Sequence, residues 1–375
     1  MSKQRTARPK PVASRVSFTP PYPPSWFDRF TAWVDRLPGP AWAFYSIVGI
    51  GVSIAGSAVQ WMEGAYLLGR FNALHIWTLG NFAYALALMH YLDRSAESAI
   101  ETFRPILGPV GTGGHHSLVD EATFGRLSYQ LTTLPPRQTL FATIAFAVFA
   151  IVTYILQTST GAVPTYLAGT AGTSLSTASV LAPFIVQNGI MGVLAYHTIH
   201  QLVLISRIYT QHVRINIYRL QPLYALSLPG AFTAIGIILY VYIWFATATS
   251  VSQTVGPVEI GLSVSFAVIA GATFALPLLG AHRRLVAEKN RRLAEVSSHF
   301  EAAAERLHRQ LDGPRLDQID DLNKALASLE IEQSVLRRIP TWPWEPGPAR
   351  GLVAALLLPI AVWLLQLLLG RVLGA

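Results

Sequence analysis

Apolar runs close to a bilayer-spanning length recur along the whole chain, and no other feature of the sequence limits the fold as severely. About 20 consecutive apolar residues in a helix match the roughly 30 Å hydrocarbon core of a membrane. Lipid offers backbone N–H and C=O groups no partner, so a crossing segment must satisfy them itself, as a helix, or within a closed barrel. Barrel strands alternate in polarity, and these runs do not. Charged residues are only 13% of the chain against 52% hydrophobic, far below the charge share of about 25% usual in soluble domains. The expected fold is therefore all-α: a polytopic helical protein of the cell membrane.

Seven spans are expected, at 41–60, 72–91, 138–157, 181–205, 229–249, 257–280 and 351–372. Basic residues resist translocation and mark the cytoplasmic side. The first 40 residues hold seven of them, Lys3, Arg5, Arg8, Lys10, Arg15, Arg29 and Arg36, against two acids. The connection 206–228 holds Arg207, Arg214 and Arg219 and no acid, whereas 158–180 and 250–256 carry no charge. Every second connection is basic, which sets the amino terminus inside and, with an odd number of crossings, Ala375 outside. The formal charge of +8 is accounted for by these flanks, so no nucleic-acid partner is expected. No compact apolar run with a cleavage site precedes the first span, so the first span itself is expected to direct insertion.

Between the spans the chain divides into further units. Residues 1–24 read as a disordered basic, Pro-rich cytoplasmic tail. At 25–37, Ser25 is placed to cap a helix whose Trp26, Phe30, Trp33 and Leu37 form one stripe, with Asp28 and Asp35 opposite. This reads as an interfacial helix anchored by Trp26, Phe30 and Trp33 at headgroup level, the alternative being an amphipathic helix packed on protein. Within the six-span region 38–280, the loop 92–137 is expected to hold helices at 93–104 and 119–133 around the Gly-rich GPVGTGG stretch.

The segment 281–349 carries the strongest soluble pattern. Val286, Leu293, Phe300 and Leu307 repeat every seventh residue with Val296 and Ala303 between them, and the pattern resumes with Ile319, Leu322, Leu326, Leu329 and Leu336 after an Asp-Gly-Pro turn signal. A coiled-coil-like cytoplasmic hairpin is expected, followed by Trp342 and Trp344 as interfacial anchors and by the last span within 350–375.

The runs LTTLPPR before the third span, RINIYRLQPLYALS before the fifth and IPTWPWEPG before the last resemble a group of uncharacterised prokaryotic multi-pass membrane proteins. These are boundary motifs, so the resemblance implies a many-span topology and no particular chemistry.

Two kinds of residue stand out inside the spans. Small residues recur every fourth position as Gly49, Ser53 and Ser57 in the first span and as Ser263, Ala267, Gly271 and Ala275 in the sixth, which lets helix backbones approach, within one chain or between chains. Polar residues are fewer: Asn81, Gln187 and Asn188 lie deep, while His90, His197, His200 and His282 share a depth near the cytoplasmic side, where they either converge, as a pore lining or pH sensor, or act as interfacial helix-end residues. No Asp, Glu, Lys or Arg lies mid-span, which argues against ion-coupled transport.

The chain has no cysteine and shows no phosphate loop, HExxH or GxSxG motif, so no cofactor, metal or catalytic site is expected. His115-His116 is too short a pair to define a metal site. Three functional readings follow. The first is a non-enzymatic signalling or scaffold protein presenting the hairpin to a cytoplasmic partner or a second copy. The alternative is a channel or uncoupled pore for a small ion or solute lined by the polar and His residues. An intramembrane enzyme or metal-binding protein stands last.

Overall fold

The computed structural model describes residues 19–107, 121–159, 174–213, 215–218, 220–251, 257–311, 319–344, 347 and 349–357. These residues are helical throughout, with no strand beyond a single bridge between Leu107 and Val213. The helices are α1 (Trp26–Val34), α2 (Ala41–Met62), α3 (Ala73–Phe103), α4 (Glu121–Thr132), α5 (Pro136–Ser159), α6 (Ser174–Gln211), α7 (Gln221–Ala225), α8 (Ser227–Val251), α9 (Pro257–Leu311) and α10 (Ile319–Arg338). Residues 349–357 are also helical.

Five stretches are long and apolar enough to cross a membrane: Ala41–Met62, Glu121–Leu156, Leu175–Gln211, Gln221–Tyr242 and Val264–Leu311. The chain is thus built for a membrane. The expected span at 72–91 is not among them, because His75, Thr78, Asn81 and His90 dilute the apolar character of α3. Helix α3 occupies the middle of the bundle, in contact with α2, α4, α6, α7 and α8, so these polar groups face protein. The expected last span lies mostly outside the described residues.

Several expected boundaries move. Residues 93–103 are not a separate helix but the continuation of α3, capped by a 3-10 turn at Arg104–Ile106. Likewise α9 runs unbroken for 55 residues, through the expected end of the sixth span at 280 and past the internal Pro277. Hydropathy marks where an apolar environment would end, and a helix with good propensity on both sides of that point has no reason to stop there. Polar helix ends then build a second core. Ile100 and Phe103 of α3, Leu127 and Leu131 of α4, Ile205, Ile208 and Tyr209 of α6 and Leu278 and Leu285 of α9 are buried together.

Helix α1 begins with a capping box. The Ser25 hydroxyl accepts from the Asp28 N–H, and the Asp28 carboxylate accepts from the Ser25 N–H at 2.7 Å. The same carboxylate accepts from the Leu134 N–H at 3.1 Å, which ties α1 to the chain entering α5. Phe27 and Val34 are fully buried against Tyr45 of α2 and Met89 of α3. The helix therefore packs on protein, with the buried face one residue round from the expected stripe. Trp26 is not a free headgroup anchor: it is half-buried, and its Nε1–H donates to Thr143 Oγ1 of α5 at 3.2 Å. Phe30 packs beside Tyr45, while Trp33 stays 48% exposed.

Helix α10 lies antiparallel along the second half of α9. Lys289 Nζ donates to the carbonyls of Arg337 and Ile339, both at 2.8 Å, and Gln333 reaches Ser297. Val296 and Leu336 are buried between the helices; Leu293, Leu329, Ile319, Leu322, Leu326, Leu307 and Val286 are half-buried. Phe300 departs from the expected seam and is 41% exposed, and Leu285 rather than its neighbour Val286 is fully buried. A straight helix of 3.6 residues per turn drifts about 20° per heptad from a strict seven-residue repeat. The seam accordingly passes from Leu293 to Val296 and Ala303 and leaves Phe300 on its outer side.

Candidate functional site

The small-residue stripe of α2 sets the geometry of the site. A Cβ added at Gly49 would collide with Leu79 of α3, and one at Gly56 would lie 2.7 Å from the His75 ring. Ser53 donates to the His75 carbonyl at 3.1 Å, and Ser57 Oγ lies 3.2 Å from His75 Nδ1. The stripe thus serves packing within the chain, of α2 on α3. The α9 stripe does not: a Cβ at Gly271 would meet nothing, Ala267 and Ala275 are only half-buried, and the buried face is the neighbouring Ala270, Phe274 and Leu278. Phe274 and Leu278 offer the larger side chains for close packing against neighbouring helices, and this face turns inward.

Helices α3 and α6 run parallel. Trp77 sits against Phe184 at 6.3 Å between ring centres, and Asp93 pairs with His197 further along both helices. Asn81, one turn past Trp77, and Gln187, three residues past Phe184, therefore lie at one level. Both are fully buried. Thr78, one turn before Asn81 on α3, is also buried; Gln60 of α2, which the Gly56–His75 and Trp61–Arg70 contacts set near the start of α3, is buried about 15 Å further along the bundle. Both amide atoms of Gln60, both amide atoms of Gln187, the Thr78 hydroxyl and Asn81 Oδ1 have no hydrogen-bond partner among the described residues. Asn81 Nδ2 donates to the Trp77 carbonyl of its own helix at 2.8 Å. Each unpartnered buried polar group costs on the order of 1–3 kcal/mol. Such groups recur along α2, α3 and α6 at their ends remote from α1.

A charged cluster lies at the α1 end. Asp93 Oδ1 accepts from His197 Nε2–H at 2.7 Å. Asp35, the residue that ends α1, sits 3.1 Å from His90 Nε2 and 2.8 Å from the Arg94 guanidinium. The Tyr45 hydroxyl lies 3.3 Å from His90 Nδ1. With Nε2–H donating to the carboxylate, His90 Nδ1 accepts the hydrogen bond of the Tyr45 hydroxyl, so one tautomer satisfies both bonds. His197 is nearly fully buried, and its Nδ1 has no partner among the described residues.

Between the Asn81 and Gln187 amides and the charged cluster lies an apolar belt. Ala85, Leu86 and Met89 of α3 and Ile190, Val193 and Leu194 of α6 are buried in one cluster with Phe27, Val34 and Tyr45. At 1.5 Å per residue, Gln187 and His197 are about 15 Å apart along α6. The interface is therefore polar, then dry, then polar and charged.

The seven polar candidates do not all meet here. Asn81 and Gln187 share one level, and His90 and His197 join the charged cluster. Asn188 is half-buried and bonds its own helix at the Phe184 carbonyl. His200 turns toward α4, donating from Nε2 to the Gln130 carbonyl at 3.0 Å. His282 lies elsewhere: its Nδ1–H donates to the Thr341 carbonyl and its ring stacks on Trp342 at 4.0 Å. Trp342 stacks in turn on Trp344, and Trp344 on Phe274, so these two tryptophans pack on α9 instead of standing free as anchors. His115-His116 and the Gly-rich stretch fall outside the described residues.

Sequence reasoning missed Gln60, His75 and Thr78, and also Asp35, Tyr45 and Asp93. For Gln60 a signal was present, since it continues the Gly49–Ser53–Ser57 stripe at helical spacing. Asp35 and Asp93 carried none, because each lies in a polar stretch outside an apolar run. Among the described residues no three His, Asp or Glu side chains gather as a metal site. No family model, curated protein or solved structure matches this chain.

Proposed function

We propose that the protein crosses the cell membrane seven times and that the interface of α2, α3 and α6 is a permeation path for a small ion or solute, gated by the apolar belt. The reading rests on one observation: along α3 and α6 the buried amides of Asn81 and Gln187 and the charged Asp93–His197 pair are separated by a dry belt. Polar groups within a membrane are costly and mark solute paths, and hydrophobic constrictions close such paths by excluding water. Lys and Arg flanks favour the Asp35–His90 and Asp93–His197 pairs on the cytoplasmic side and the buried Asn81 and Gln187 amides toward the outside. Among the described residues the path has no carboxylate at mid-depth, which favours passage without ion coupling. The test is reconstitution of the full chain in liposomes, with ion conductance and solute swelling recorded for the wild type and for Asn81→Leu/Gln187→Leu. Flux that the double substitution abolishes supports the reading; silence of the wild type and of belt-opening variants toward every ion and solute tried overturns it.

A second reading is favoured by the unbroken α9. One helix joins the membrane region to the arm that α10 packs against, so the arm is rigidly borne and suited to holding a cytoplasmic partner or a second copy. Deleting 285–338 then abolishes partner crosslinking and leaves insertion intact; undiminished crosslinking overturns it.

A further inference from the structure

We infer that the groove between α5 and α6 seats one acyl chain of an anionic phospholipid, whose phosphate is held by Arg137. The groove is an open cavity of about 480 Å³ on the outer surface of the helix pair. Ala142 and Ala145 of α5 and Gly192 and Ala195 of α6 lie low in it, half-buried or buried, while Phe141 and Ile199 stand out at its edges, 74% and 61% exposed. The two backbones meet at Gly192, where an added Cβ would run into the Ala142 carbonyl. Small residues beside that contact, between large ones, leave an apolar furrow. Arg137 and Gln138, in the first turn of α5, line one end of it. From there to Ser159 the helix holds no Asp, Glu, Lys or Arg, so the guanidinium stands where the apolar run begins, at headgroup depth of a crossing helix. The furrow follows α5 from Arg137 to Phe146, about 13 Å into the apolar run.

Charge selects the headgroup. No carboxylate lines the groove, and Arg137, itself exposed, makes no ion pair among the described residues. A free guanidinium fork suits two oxygens of a phosphate. A zwitterionic lipid fills the furrow equally well, but its ammonium offsets the phosphate charge and finds no carboxylate here to receive it. The chain and the phosphate must come on one molecule, because the furrow gives a soluble phosphate nothing beyond Arg137.

The site rests on α5 and α6 crossing the membrane and is independent of the permeation path. The full chain in detergent is titrated with phosphatidylglycerol, with phosphatidylcholine of the same acyl chains and with glycerol phosphate, and native mass spectrometry counts what each chain retains as collision energy rises. Phosphatidylglycerol should stay at one per chain, about tenfold better than phosphatidylcholine, the scale of one charge-assisted contact. Glycerol phosphate, which has the head without the chains, should not bind. Arg137→Gln should lower phosphatidylglycerol to the level of phosphatidylcholine and leave the latter unchanged. Arg70→Gln, in the connection between α2 and α3, should change nothing. Ala145→Phe should fill the furrow and weaken both lipids; if that variant does not fold, the exposed Arg137→Gln still decides. Equal retention of the two lipids, phosphatidylglycerol undiminished in Arg137→Gln, or glycerol phosphate held as tightly as the lipid overturns the inference. So does a lipid-free dimer, in which a second copy covers the furrow. Phosphatidylglycerol held by a chain that is silent in liposomes removes the permeation reading alone; flux without lipid preference removes the lipid site alone.

Discussion

Asp93 of α3 and His197 of α6 are joined at 2.7 Å, and the histidine is buried while the carboxylate stays partly accessible. The bond helps fix the register of two parallel helices whose other contacts include Trp77 on Phe184 and the aliphatic belt. His197→Ala leaves the carboxylate without its donor and is expected to lower stability by about 1–3 kcal/mol. His197→Gln keeps an N–H at similar reach and should recover part of that loss. Thermal unfolding of the purified protein in detergent checks both, and equal losses for Ala and Gln would show that the bond itself contributes nothing.

The belt should respond to polarity more than to volume. Leu194→Ser shortens the side chain and admits a hydroxyl where Met89 and Val193 exclude water. Expected is a constitutive leak in liposomes, larger than that of Leu194→Ala, although both open similar space. A leak that tracks side-chain size alone would contradict dewetting as the closing principle.

Docking of α1 gives a pH dependence with a definite sign. Burial raises the Asp28 carboxyl above its ordinary value, opposed by the bonds from Ser25 and Leu134. A raised value means that the folded state favours the protonated acid, so this contribution is complete below the unfolded value and is lost as pH rises through the folded one. Asp28→Asn removes the titration, so its stability relative to wild type should improve from acidic to neutral pH. Asp28→Ala loses both N–H acceptors at every pH and should release α1 to added protease. A flat difference between wild type and the Asn variant across that range would contradict the assignment.

Among the α6 glycines packed on α5, Gly192 has the tightest fit. A Cβ at Gly192 would run into the Ala142 carbonyl and lie 2.9 Å from Phe146 Cβ, both on α5. Backbone cannot yield as a flexible side chain can, so Gly192→Val should cost about 1–3 kcal/mol by overpacking. Gly51→Val is the control, since its Cβ would meet nothing. Unfolding of the two variants side by side reads the difference directly.

The apolar runs foretold α2, α5 and α8 to within a few residues, because each is bounded by Pro, Gly or a change in polarity. They could not foretell how far α3, α6 and α9 continue, since a helix that leaves an apolar environment keeps its backbone bonds. For the site, Asn81, Gln187, His90 and His197 were visible as polar residues in apolar surroundings. Their grouping was not, because the pairing of α3 with α6 depends on registry between segments about a hundred residues apart. The helix α1 shows the limit most plainly: its amphipathic stripe was read one position off, as Trp26 and Phe30 instead of Phe27 and Val34. Near-equal hydrophobicity of adjacent aromatic residues leaves the buried face to be chosen by the partner surface.

The chain's lack of cysteine makes the α9–α10 arm testable without background. Ser297 and Gln333 approach each other across the two helices, with Oγ and Nε2 at 3.5 Å. In Ser297→Cys/Gln333→Cys, a short bismaleimide should join the two thiols within one chain, giving a compact monomer on denaturing gels. Crosslinked dimers would mean that α10 pairs with the α9 of a second copy. The same thiols report sidedness. In sealed cells a membrane-impermeant maleimide should fail to label them, as should a Cys at 290 on the outer face of α9, until the membrane is opened. Labelling of intact cells would place the arm outside, invert every orientation drawn from the arginine flanks, and put the charged end of the path on the outer surface.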